Sequence, residues 1–304
     1  MRFLHRLFKR GRETVAVTVP LEMPERQQLV EQESAPPVSA PPARSRLNVG
    51  WSSDVGGVRR HNEDTALVIV ADYAGDDALP PFGLFILADG MGGHQAGEVA
   101  SSLAVRTMAY HIMRYLYLPA LASYEHDAGQ LALNEALVEA TRAANVAVSC
   151  HVPGGGTTLT GAVVLGSRAY VAHVGDSRAY LVTEEGLEQI THDHSLVDRM
   201  VEMGQLTRDE AAVHPQKNIL YRAIGQGGVI EVDTYIRTIP PKGRLLLCSD
   251  GLWSMVSDRE IAEIVLTASS PQAACDSLVA AANQAGGLDN ITVILVEPPY
   301  GSGV

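Results

Sequence analysis

The sequence has little cysteine. Cys150, Cys248 and Cys275 are scattered, odd in number and form no CxxC pair. That argues against both a disulfide framework and a thiolate zinc site. Cys248 lies in the apolar run Leu245–Cys248 and reads as a small buried hydrophobe. Long apolar stretches are missing too: runs such as Thr65–Ala71 fall far short of the roughly 20 residues of a membrane-spanning helix. The N-terminal MRFLHRLFKRGR lacks the apolar core of about 7–15 residues that a secretory signal requires, so a cytoplasmic protein is expected. Positive charge is scarce, with 23 Lys and Arg against 35 Asp and Glu, a net −12. The deficit lies in the body of the chain, since residues 1–46 carry +3 and the remainder −15. So acidic a body is poorly suited to nucleic acid, whose phosphates demand cations. It suits a protein that concentrates divalent ions.

The 304 residues, 46% apolar and 19% charged, have a globular composition and room for one large domain or two small ones. Composition divides the chain into a basic, Pro-rich flexible extension (1–46), a folded domain (47–298) and a short tail (299–304). In the extension, Phe3, Leu4, Leu7 and Phe8 would share one side of a helix, with Arg2, Arg6, Lys9 and Arg10 around it. Such a segment, residues 2–12, fits either a solvated start or weak contact with the inner membrane surface. Residues 34–45 read as a Pro/Ala/Ser linker.

Alternation and β-rich runs predict strands over Asp64–Val70, Phe82–Ala88, Thr158–Leu165, Arg168–Val174, Arg178–Val182, Glu231–Ile239, Arg244–Cys248 and Asn290–Val296. Helices are expected over Ala96–Leu118, Gln130–Val148, Ser195–Met203, Ser257–Leu266 and Pro271–Ala285. Gly204–Asn218 is polar and irregular. Strands come in runs without strict βαβ alternation, which favours an α+β fold of antiparallel sheets with helices packed outside.

Three pieces repeat one device. In LFILADG (Leu84–Gly90), LLLCSDG (Leu245–Gly251) and VAHVGDSR (Val171–Arg178) an apolar run ends in an Asp with Gly beside it. In LDNITVILV, Asp289 precedes a strand. A carboxylate at a strand end is held rigidly at the rim of a sheet, and several together would make an all-oxygen site for Mg²⁺ or Mn²⁺. Each Asp-Gly alone reads first as a turn, and spacing does not show that Asp89, Asp250 and Asp289 meet. SDVGGVRRHNED (Ser53–Asp64) holds two arginines, whose forked donors suit phosphate, ahead of Glu63 and Asp64; a surface ion pair is the plainer reading. His192, Asp193 and His194 have no further His at ligand spacing, so they read as a loop capped by Ser195 rather than a zinc site. Thr157 and Thr158 read as structural.

Eight pieces in order, SDVGGVRRHNED, LADGMGGHQAGEVAS, GGGTTLTGAVV, VAHVGDSRAYL, ITHDHSLVDRMVEMGQLT, HPQKNILYRAIG, LLLCSDGLW and DNITVILV, resemble the bacterial branch of the type 2C metal-dependent protein phosphatases. The resemblance spans Ser53–Val296. It implies two antiparallel β-sheets packed as a sandwich with α-helices on both outer faces. It also implies hydrolysis of phosphoserine and phosphothreonine on proteins with two core Mn²⁺ or Mg²⁺ ions, and room for a weaker third. Carried over by position, Asp89 would bridge the two ions and Gly90 would add its carbonyl. Asp250 and Asp289 would complete one shell, and Glu63 would serve the other. Asp64 would hydrogen-bond water in that shell. Asp176, with Asp250, would hold the third ion. Arg59 rather than Arg60 would grip the substrate phosphate. Gly204–Asn218, including His214, would be a flap that selects substrates.

The expected partners are phosphoproteins, among them a bacterial Ser/Thr kinase and its targets, and the expected state is a monomer. Met91 stands where a His follows the Asp-Gly in the eukaryotic branch, which leaves the general acid unassigned; His94 reads as a loop or cap residue. His173 and Leu288 also depart from the family's usual residues. The alternative is a catalytically weak regulatory or binding module on the same fold.

Overall fold

In the computed structural model, which describes residues 46–72, 80–92, 95–122 and 132–299, the named strands pair antiparallel in two sheets. The first sheet orders β1 (Asn48–Asp54), β11 (Ile291–Glu297), β10 (Arg244–Cys248), β7 (Arg178–Thr183) and β8 (Gly186–Gln189). The second orders β2 (Asp64–Ala71), β3 (Phe82–Met91), β5 (Leu159–Leu165), β6 (Arg168–Val174) and β9 (Asp233–Thr238), with the short β4 (Gly156–Thr157) on the end of β3. Helices α1 (Gln95–Ile112) and α3 (Leu133–His151) cover the second sheet; α7 (Asp258–Thr267) and α8 (Pro271–Gln284) cover the first. Shorter helices are α2 (Leu118–Ala122), α4 (Leu196–Glu202), α5 (Arg208–Ala212) and α6 (Asp250–Trp253).

The apolar run of β3 shows why the layers form. Successive side chains of a strand face opposite ways. Leu84, Ile86 and Ala88 pack with Met108 and Ile112 under the helices, while Phe85 and Leu87 join Leu245, Leu247, Ile294 and Val296 between the sheets. The first sheet mirrors this: Leu246, Cys248, Val293 and Leu295 face α7 and α8 with Ile261, Leu278 and Cys275. Central strands buried on both faces read as unbroken apolar runs rather than alternating ones. Cys248 is fully buried, as expected.

Several expectations change in detail. Asp89 and Gly90 do not form a turn: β3 continues through them to Met91, pairing Asp89 with Asp64 and Gly90 with Thr157. The single helix expected over Ala96–Leu118 breaks into α1, a π-helical turn at Met113–Tyr117, and α2. Pro119, early in α2, has no N–H to continue the regular ladder. The segment Gly204–Asn218 is not wholly irregular, because α5 lies within it, opened by a Thr207–Glu210 capping box. Strands β1, β4 and β8 were not expected; β1, NVGWSSD, is polar and sits at a sheet edge. Residues 2–12, the linker 34–45, His94 and the last residues 300–304 lie outside the described residues.

Candidate active site

The carboxylates reach one place from five directions. Asp64 opens β2 and is the register partner of Asp89 near the end of β3. Asp176 follows β6, Asp250 opens α6 just past β10, and Asp289 precedes β11. Glu63, Asp89, Asp176, Asp250 and Asp289 line an open cleft of about 450 Å³ with Arg59, Arg60, Met91, Thr158, Asn218 and Leu220. Asp64 is partly buried and acts on Asp89 from beside it. Of the expected flap residues only Asn218 lines the cleft. Gly204 has φ +69° and closes α4, its N–H bonding Val201 while Gln205 N–H bonds Met200, which is a Schellman end. His214 Nδ1 accepts from the Gln216 N–H at 3.2 Å.

The electrostatics are those of crowded acid. Burial first, then the charges of Asp250 and Asp289, raise Asp64 to about 7 against hydrogen bonds from Thr292 and Ser249. Burial first, then Asp64, Asp250, Asp176 and Asp289, push Asp89 well above the usual carboxylate range. Burial and Asp250 do the same to Asp176. Burial and Asp289 raise Asp250 to about 6, opposed by a hydrogen bond with Asp89 and by Arg59. Like charges cannot share such a space without protons or cations.

Arg59 Nη2 meets Asp289 Oδ2 at 2.6 Å. Burial works against the Arg59 charge, but Asp289, Glu63 and Asp250 outweigh it and raise its pKa. The residues expected to serve phosphate and metal thus bond each other.

Whether this set suits divalent ions is answered by its orphan atoms. Asp64 Oδ1 and Asp250 Oδ1 are buried with no hydrogen-bond partner, an arrangement that is costly unless something cationic or a donor meets them. The donors are all oxygen, which suits Mg²⁺ or Mn²⁺. Among the described residues, no three His, Cys, Asp or Glu side chains already stand in ligand array; Asp289 is turned to Arg59, and Asp89 to Asp250. The donor set fits the ions.

Hydrogen bonds fix where the acids sit: Thr157 and Thr158 supply some in the structural role expected of them, while sequence reasoning did not single out Ser249 and Asn290. Thr158 grips Asp89 twice: its N–H donates to Asp89 O at 2.9 Å, and its Oγ1 accepts the Asp89 N–H at 2.8 Å. Thr157 Oγ1 donates to the same carbonyl at 2.8 Å. Ser249 Oγ donates to Asp64 Oδ2 at 2.8 Å and accepts the Thr292 N–H at 2.9 Å. Asn290 anchors the Arg59 loop: its Oδ1 accepts the Glu63 N–H at 2.8 Å, and its Nδ2 donates to Val55 O and His61 O, each at 2.9 Å. One available signal was that Asn is a poor strand residue, so an Asn heading the ITVILV strand invites a side-chain task.

Two glycines are demanded by close approach. A Cβ on Gly90 would lie 2.6 Å from Glu63 O and would overlap Gly97; one on Gly251 would overlap the Asn290 carbonyl.

The HDH cluster is a structural hub. Arg178 holds Asp193 in a fork at 2.7–3.1 Å. Its guanidinium lies 3.6 Å over the Trp253 ring, and Trp253 Nε1–H donates to Asp176 O at 3.0 Å. His194 Nδ1 accepts the Gly175 N–H at 3.0 Å. Ser195 caps α4, accepting the Asp198 N–H. His173 is buried between Thr160 Oγ1 (2.9 Å) and His192 O (3.1 Å), and burial lowers its pKa to about 3. Met91 lies at the cleft wall, and its thioether carries no proton. No helix among the described residues is long and apolar enough to cross a membrane.

Known proteins resemble this arrangement. The family model described as protein phosphatase 2C matches residues 71–282. The serine/threonine phosphatase stp of Listeria innocua is 38% identical over 252 residues, covering 83% of this chain and 96% of that protein. The solved structure of the Mycobacterium tuberculosis serine/threonine phosphatase PstP/Ppp is 36% identical with a TM-score of 0.68, covering 84% of this chain and 99% of that one. A structure of the PstP catalytic domain in complex with two manganese ions is 35% identical with a TM-score of 0.65, covering 83% and 97%. A family match over more than half the chain, with relatives similar across nearly their whole length, means that this chain belongs to the protein phosphatase 2C family.

Proposed function

We propose that this chain hydrolyses phosphoserine and phosphothreonine on proteins. It would use two Mn²⁺ or Mg²⁺ ions held by Asp89, the Gly90 carbonyl, Asp250, Asp289 and Glu63, and a weaker third held by Asp176 and Asp250. The observation that carries this reading is the convergence of half-buried, charge-crowded carboxylates, with orphaned buried oxygens on Asp64 and Asp250, beside Arg59. Bound ions would supply an activated water and neutralise phosphate charge. The chain's own residues do the rest. Arg59 takes the phosphate oxygens through its forked donors and holds charge steady as the ester breaks. Asp64, pinned through Oδ2 by Ser249, offers Oδ1 to orient the attacking water. Met91 holds no proton, and a water held at Asp176, which lines the same cleft, would give the leaving oxygen its proton.

The substrates are phosphoproteins, with a Ser/Thr kinase and its targets the expected class, and the working unit is a cytoplasmic monomer. Residues 2–12 would add weak contact with an anionic membrane surface. Equal pelleting with liposomes by the full chain and by one lacking residues 1–46 would end that last idea.

The test of function is hydrolysis of 4-nitrophenyl phosphate and a phosphothreonine peptide by the purified chain. Turnover should appear with Mn²⁺ and vanish with excess chelator. A folded protein inactive with both Mn²⁺ and Mg²⁺ would sink the catalytic reading and favour the regulatory module.

A further inference from the structure

A second groove, of about 370 Å³, runs beside the cleft between α4–α5 and the α6 end of the first sheet. It shares Asn218, Asp250 and Asp289 with the cleft, so the two are one continuous surface. Its remaining walls are apolar at Val197, Val201 and Ala211 on one side and Trp253, Met255 and Leu288 on the other.

The charges that border the groove are of both signs, with Arg178, Arg208 and Lys217 facing Asp193, Asp198, Asp250 and Asp289, and Arg178 is held by Asp193. Between them lies the apolar surface of the two walls. The floor is pre-set, since Trp253 is fixed on one side by the Arg178 guanidinium and at its edge by the bond to Asp176 O. Leu288, beside Asp289, is 57% exposed on the wall that carries Trp253 and Met255.

Resting on the phosphatase reading, we propose that this groove is a specificity subsite that takes an apolar side chain of the phosphoprotein, near in sequence to the residue whose phosphate enters the cleft. The occupant is a substrate segment rather than a second copy or a small molecule, because the groove opens directly into the site where the phosphoresidue must lie. The subsite favours an apolar residue over a charged one because Val197, Val201, Trp253, Met255 and Leu288 would meet it.

The experiment walks a single leucine, and in a parallel series a single aspartate, through each position on both sides of a phosphothreonine in an otherwise Gly/Ser peptide. It measures Mn²⁺-dependent kcat/KM with the full chain. One register should favour Leu over Asp by about tenfold or more, the scale of one well-placed apolar contact. Leu288→Ser and, from the opposite wall, Val201→Ala should each shrink that preference toward unity, mainly through KM. Two variants on separate elements guard against one failing to fold. No preferred register, or a preference that both folded variants keep in full, overturns the subsite while leaving the phosphatase standing. Absence of chelator-sensitive turnover on every peptide and on 4-nitrophenyl phosphate overturns the catalytic reading itself, and the subsite with it.

Discussion

The floor of the cleft and the segment Gly204–Asn218 beside it meet at one opening, yet they are held by different means. The floor is tied by bonds between distant parts of the chain. Ser249 reaches Asp64 across 185 residues, Asn290 reaches Glu63 across 227, and Thr158 reaches Asp89 across 69. The segment is tied mostly to itself, through the Thr207–Glu210 box, His214 to Ala211, and Lys217 to His214. Bonds to the body flank it on the far side, Leu196 to Ile219 and Tyr221 to His194. Long-range bonds fix side chains to within the tolerance chemistry demands, while local bonds preserve a loop's shape and let its sequence vary. On the reading proposed above, reaction belongs to the floor and choice of substrate to the segment.

The sharpest way to break this contrast is to neutralise the floor. Asp250→Asn should cost more than the roughly 10–100-fold of an outer-shell change in a metal site, measured as Mn²⁺-dependent kcat. The same variant should melt at a higher temperature than the parent in chelator near neutral pH. Its carboxylate is raised to about 6 by burial and Asp289, so ionisation there opposes folding and its removal relieves the strain. Undiminished turnover would refute the role given to Asp250.

Next comes Asn290→Ala, which touches no reacting atom. It leaves the Glu63 N–H, Val55 O and His61 O without their partner. The expected loss is about 10–100-fold in kcat/KM and roughly 2 kcal/mol in stability by denaturant titration. A variant with unchanged kinetics would show that the loop carrying Arg59 needs no anchor.

Exchanging Gly204–Asn218 should have a smaller effect on chemistry and a larger one on choice. Peptide preference should shift by about tenfold while 4-nitrophenyl phosphate turnover stays within a fewfold. Equal change on both substrates would erase the distinction between floor and segment.

The effect with least bearing on turnover concerns stability against pH. His173 is buried neutral with its pKa lowered to about 3, below the ordinary value near 6.5. The unfolded chain therefore takes up a proton that the fold refuses. Stability contributed by this group is complete above about pH 6.5 and is lost as pH falls toward 3, by roughly 1 kcal/mol per pH unit. Replacing His173 with Asn should flatten that part of the acid limb in urea titrations, and an unchanged slope would deny His173 any part in it.

The layers and the acids were readable in the sequence because strand periodicity and buried apolar runs are local signals. LFILADG and LLLCSDG announced central strands with an acid near each end. What could not be read was register. The pairing of Asp64 with Asp89, the Thr158 clasp and the Ser249–Asp64 bond exist only once distant strands align. For the same reason Asp-Gly looked like a turn where β3 continues, since Gly90 is chosen for the closeness of Gly97 and the Glu63 backbone. Gly204 ends α4 with a positive φ, a backbone task that its place at the head of a polar segment did not announce. The Arg59–Asp289 pair was hidden because each residue seemed committed to another partner.

The central claim is that the crowded carboxylates form a divalent-cation site, and binding tests it without reference to turnover. Calorimetric titration of Mn²⁺ into the full chain, paired with thermal melting, should show saturable binding and a melting temperature that rises with metal concentration. Asp89→Asn and Asp250→Asn should both bind far more weakly and lose that rise. If the two folded variants bound Mn²⁺ and were stabilised by it as the parent is, the carboxylates would not be the site and the account would be wrong.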